Sequence, residues 1–103
     1  MMMNELEEFN YINALFEIYK SLLTDKQSLI MEKYYIFNLS FSEIAQEMKI
    51  SRSGVCDALE HGKEKLRNYE NNLHIYKKHV QIMDILNNST IDDNIKKKIK
   101  EVL

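Results

Sequence analysis

The 103-residue sequence contains no proline and only two glycines, Gly54 and Gly62. Tight turns and strand connections draw heavily on those two residue types. A β-rich or loop-rich fold is therefore excluded, and an all-α chain of helices joined by short links remains. Apolar residues make up 45% and charged residues 29%, enough of the first to build a core and too few of the second to prevent one. The single cysteine, Cys56, cannot form an internal disulfide, which fits a reducing compartment. The longest apolar run, Tyr34-Tyr35-Ile36-Phe37, falls far short of the roughly 20 residues a membrane-spanning helix needs. The N-terminus lacks the basic and apolar regions of a secretory signal. The expectation is a soluble, cytoplasmic protein with no membrane insertion.

Apolar spacing places the helices. Leu6, Phe9, Ile12, Leu15, Phe16, Tyr19, Leu22 and Leu23 form one helical stripe over 5–23. Thr24-Asp25-Lys26-Gln27 is a capping box that opens a second helix to about Phe37, burying Leu29, Ile30, Tyr34 and Phe37. Ser40-Phe41-Ser42-Glu43 is another capping box, opening a short helix with Ile44, Ala45 and Met48. Ser51 is the next N-cap candidate, and from there to about Leu86 only Gly62 weakens a helix. Along that stretch Leu59, Gly62, Leu66, Tyr69, Leu73, Tyr76, Val80 and Met83 alternate steps of three and four, a heptad seam. Its cover is either the N-terminal helix or a second copy of the chain, and a homodimer is expected. After Asn87-Asn88-Ser89, Thr90 is a cap candidate for a last short helix with an apolar stripe of Ile91, Ile95, Ile99 and Val102. These elements divide into a helical domain over 1–66 and a helical extension over 67–103.

Residues 41–60 fit the helix-turn-helix pattern. Its apolar positions fall on Ile44, Met48, Ile50, Val55 and Ala58, with the small residue Ala45 where the two helices cross closely. Ile50 plugs the turn, and the helix beginning at Ser51 is the candidate reader. Two features depart from the ideal: Lys49 stands where the turn favours glycine, and Gly54 weakens the reader's first turn. A plain helical hairpin with ordinary core spacing is the competing interpretation.

The candidate nucleic-acid contacts are Ser42, Ser51, Arg52, Ser53, Asp57, Lys63, Lys65 and Arg67, with backbone N–H groups near Ser40 to Ser42 placed to hold a phosphate. Charge limits this surface. Residues 1–60 hold five basic and ten acidic residues, and residues 61–103 nine and six. Over 41–67 five of each cancel, and Asp57 and Glu60 would face a polyanion, so the motif alone predicts modest DNA affinity. His61, His74 and His79 lack metal-site spacing, and Cys56 has neither a paired base nor a resolving thiol. With no phosphate loop, catalytic carboxylate pair or nucleophile triad, the expectation is a non-enzyme with no cofactor, metal or small-molecule substrate. The Lys96-Lys97-Lys98 run with Lys100 is read as a solvated helix end.

Leu22-Leu23-Thr24-Asp25-Lys26-Gln27, Tyr34-Tyr35, Ser42-Glu43-Ile44-Ala45, Ile50-Ser51-Arg52, Lys65-Leu66 and Tyr69-Glu70 together resemble the YlxM family of small bacterial proteins, over about residues 11–86. The resemblance implies a bundle similar to region 4 of the sigma-70 factors, with a long C-terminal helix. It also implies a nucleic-acid-binding regulatory role linked to the signal recognition particle pathway. Where that family's reader is expected to run Ser-Arg-Gln-Ala-Val-Tyr-Asp, this chain has Ser51-Arg52-Ser53-Gly54-Val55-Cys56-Asp57, losing a long amide and an aromatic. Two functions stay open: a regulator that binds DNA or RNA, and an accessory module that docks a protein component of the signal recognition particle with little DNA contact.

Overall fold

The computed structural model describes residues 2–103. Among them six α-helices follow in order: α1 Glu5–Tyr19, α2 Asp25–Tyr35, α3 Phe41–Met48, α4 Arg52–Leu73, α5 Ile75–Asn87 and α6 Asp93–Val102. The caps predicted for α2, α3 and α4 act as caps. Thr24 accepts the Gln27 N–H while Gln27 accepts the Thr24 N–H, and Ser40 and Glu43 form the same reciprocal pair. Ser51 Oγ accepts from Gly54 N–H at 2.9 Å and starts α4.

α4 is the axis of the bundle, and α1, α2 and α3 pack against it. Ile12, Leu15, Phe16 and Tyr19 come from α1, Ile30, Met31 and Tyr35 from α2, Ile44 from α3, and Val55, Leu59 and Leu66 from α4. Each such side chain contributes about 1.5–3 kcal/mol when fully removed from water. α2 turns a different face inward than its sequence suggested. Met31 and Tyr35 are buried, whereas Leu29 is 44% and Phe37 61% exposed. The reason is Gly62. A Cβ there would lie 2.5 Å from Met31 Sδ, so the missing side chain is the slot into which Met31 packs. Gly62 is thus the place where Met31 packs, and α4 continues through it as one helix.

The helix expected from Ser51 to about Leu86 is two helices. His74 adopts φ 55° and ends α4, and α5 starts at Ile75. The cause is tertiary. Glu70 is a carboxylate on the inner face of α4, 4% exposed. It accepts the Tyr19 hydroxyl at 2.6 Å, Tyr76 N–H at 3.0 Å and Lys77 N–H at 2.9 Å. Ile75 N–H donates to Tyr19 Oη at 3.3 Å. Two side chains from outside α5 therefore satisfy its first N–H groups, the work an N-cap residue normally does. Burial alone would push the Glu70 pKa up. The hydrogen bonds from Tyr19, Tyr76 and Lys77 outweigh it and hold the carboxyl below its usual range. The Tyr19 hydroxyl is pushed up to about 12 by burial and by donating to Glu70. Two smaller boundaries also differ: α1 closes at Tyr19 with a tight turn over Lys20–Leu22, and Asp92, not Thr90, caps α6.

Gly62→Ala should lower stability by about 1–2 kcal/mol, because overpacking against Met31 exceeds the gain in helix propensity. Equilibrium urea unfolding checks this, and a variant as stable as the parent would contradict it. Glu70→Gln should cost about 1–3 kcal/mol at neutral pH. Since the folded-state pKa of Glu70 is depressed, its contribution is complete above the unfolded value of 4.5 and is lost as pH falls through the folded value. The gap between parent and variant should therefore narrow in acid, and a gap of constant size across the acid range would contradict the assignment.

Candidate nucleic-acid interface

The α3–turn–α4 unit has the expected interior. Ile44 and Val55 are fully buried, and Ala45, Met48, Ile50 and Ala58 pack around them. Lys49 takes φ 57°, the left-handed conformation the turn demands, and Ile50 N–H then donates to the Ala45 carbonyl at 3.1 Å. A non-glycine residue holds that conformation at a cost of about 1 kcal/mol, offset by the packing of Met48 and Ile50 against the core. The ion pair between Lys33 and Glu47, 2.6 Å apart, links α3 to α2.

The predicted contacts separate into two groups. Ser42, Ser51, Arg52, Ser53 and Asp57 are exposed around the turn and the first turns of α4. Ser51 Oγ is committed to its cap and also lies 3.2 Å from Ser53 Oγ. Arg52 has no acidic partner among the described residues. Lys63, Lys65 and Arg67 lie further along α4 and are engaged within the chain. Lys63 pairs with Glu60 at 3.1 Å and Glu8 at 3.6 Å, and Arg67 with Glu8 at 3.1 Å. Lys65 donates to Gln27 Oε1 at 3.1 Å. The acidic first half of the sequence is thus partly spent on the bases of the second. At the start of α3, the Glu43 carboxylate accepts Ser40 N–H at 3.0 Å, and that bond holds its pKa down. A negative charge already occupies the helix end beside Ser42, which weakens it as a phosphate site.

Along the proposed seam the residues diverge. Leu66 is fully buried and Tyr69 and Tyr76 are half-buried, but Leu73 is 47% and Val80 46% exposed. His61, His74 and His79 are exposed and separate, and Cys56 is half-buried. Among the described residues no three His, Cys, Asp or Glu side chains come together as a metal site. No described helix is long and apolar enough to cross a membrane. The residue that reading the sequence missed is Glu70. Its signal was an acid four residues after Leu66, on the face that packs inward.

A buried α3–turn–α4 core with an exposed second-helix start defines a helix-turn-helix protein. The chain belongs to the UPF0122 family, whose description is "Putative helix-turn-helix protein, YlxM / p13 like" and whose model it matches over residues 6–103. It is similar to a UPF0122 protein of Streptococcus suis, 44% identical over 99 residues, covering 92% of this chain and 88% of that one. A UPF0122 protein of Streptococcus pneumoniae is 41% identical over 100 residues, covering 93% and 91%. One of Streptococcus thermophilus is 41% identical over 93 residues, covering 87% and 84%.

Ser51→Ala should destabilise the fold by about 1 kcal/mol through loss of the α4 cap, and Ser42→Ala should leave stability unchanged. Thermal unfolding of the two variants checks this, and equal melting temperatures would remove the capping role from Ser51.

Proposed function

We propose that the protein is a nucleic-acid-binding regulatory protein that uses the start of α4 as its reader. The observation that carries this is Arg52, an exposed guanidinium on the reader's first turn with no acidic partner among the described residues. A free guanidinium at that place suits a bidentate contact to a guanine edge or to a phosphate. Ser53 would add a positioning contact. Lys63, Lys65 and Arg67 contribute only if their contacts to Glu8, Glu60 and Gln27 give way. Such a regulator reads paired half-sites as a homodimer. The membership in a helix-turn-helix family supports the reading, and a role in the cytoplasm follows from it.

A second reading is favoured by a different observation. Asp57 is exposed on the same helix as Arg52, and Glu5 and Glu7 of α1 are exposed with no basic partner among the described residues. That surface suits a basic protein partner better than a polyanion. On this reading the chain is an accessory module of the signal recognition particle with little DNA contact. A pull-down retained after nuclease treatment supports it, and one abolished by nuclease supports the first.

Fluorescence anisotropy with a labelled mixed-sequence duplex, titrated over salt, tests the reader. Arg52→Ala should weaken binding and lower the salt slope by about one unit. Asp57→Asn with Glu60→Gln should tighten binding, by removing two charges that oppose the phosphates. An affinity unchanged by all three substitutions would place the nucleic acid elsewhere or nowhere.

A further inference from the structure

The break between α4 and α5 is one residue long, and nothing local in the sequence requires it. Residues 63–103 contain neither glycine nor proline. His74 nevertheless sits at φ 55°, a conformation that every residue but glycine adopts at a cost. The apolar register passes through the break unaltered, since Leu66, Tyr69, Leu73, Tyr76, Val80 and Met83 keep their alternate steps of three and four. In the bent chain that register is only half used, because Leu73 and Val80 remain 47% and 46% exposed. The bent chain is also long for its size. Its radius of gyration is 16.7 Å, against about 13 Å for a compact domain of about 100 residues.

Both a bent and a straight junction can satisfy the backbone. In the bent form Ile75, Tyr76 and Lys77 donate to Tyr19 and Glu70. In a straight helix the same N–H groups would donate to the carbonyls of Asn71, Asn72 and Leu73, four residues back. Straightening lifts α5 off its own α1 and parts Tyr76 from Tyr11, whose rings meet edge to face at 5.5 Å. The surface complementary to the freed arm is then α1 of another copy, because it is the surface the arm has just left. Charge favours the same pairing: among the described residues Glu5 and Glu7 of α1 are in no ion pair, and residues 74–103 hold six lysines against four acids.

We propose that His74 is the hinge of a domain-swapped homodimer, in which residues 52–87 form one helix and each α5–α6 arm docks on α1 of a second copy. The Glu70–Tyr19 pair is the latch of the bent form, and a short strained hinge is the usual point of exchange. The proposal rests on the homodimer named above, and its test separates the two.

The test uses the full chain carrying Glu17→Cys and His79→Cys in a Cys56→Ser background. Both positions line the cleft between α1 and α5. At concentrations where light scattering gives a dimer, a short bismaleimide should join the two positions between chains, giving a covalent dimer on a denaturing gel. Cross-links confined within one chain of a dimer would overturn the swap and leave the dimer standing. A monomer at every concentration would overturn both. In the otherwise unaltered chain, His74→Gly relieves the bent form and weakens the straight helix, so the dimer dissociation constant should rise about tenfold or more. His74→Ala should shift it the other way. A constant moved by neither substitution would also overturn the hinge.

Discussion

The buried carboxylate of Glu70 decides the shape of this molecule. It lies on the inner face of α4, where an apolar residue would ordinarily sit, and three donors converge on it. Such a group is tolerable away from water only when its lone pairs are filled, and here they are filled by α1 and by the start of α5. One interaction therefore joins three helices, ends α4 at Leu73 and aims α5 across α1. Without it the end of α4 and the beginning of α5 would have no reason to differ from one continuous helix.

The helix-turn-helix depends on this arrangement less directly. Its own core is closed by Ile44, Val55 and the residues around the Lys49 turn, and it is linked to α2 through Lys33 and through Met31 in the slot above Gly62. What the bundle does control is charge. By bringing α1 alongside α4 it places Glu8 against Lys63 and Arg67. Lys63 and Arg67, which look available along the chain, become half of ion pairs, while Lys49 and Arg52 stay exposed around the turn with no acidic partner among the described residues. A surface with that balance binds polyanions weakly unless a second copy or a protein partner supplies further contacts, since affinity for phosphates scales with the number neutralised.

Much of the fold was legible along the chain. The caps at Thr24, Ser40 and Ser51 could be read because capping is a local exchange between residues three apart. The helix-turn-helix core could be read because its apolar positions are set by the crossing of two adjacent helices. The inward face of α2 was misjudged because the apolar positions offered two overlapping stripes, and the choice between them rests on a glycine 31 residues further along the chain from Met31. The site was legible in identity and not in state. Residue types named Lys63, Lys65 and Arg67 as candidates, but their partners Glu8 and Gln27 lie far away in sequence.

The sequence by itself determined an all-helical chain, the N-caps of α2, α3 and α4, and a helix-turn-helix between Phe41 and Glu60. Those follow from the absence of proline, from periodicity, and from side-chain bonds that span one turn. Only the tertiary structure decided that the seam helix breaks at His74, that Gly62 is a packing slot, and which basic residues remain free. Each of these depends on atoms from distant parts of the chain meeting, and no local pattern encodes that meeting.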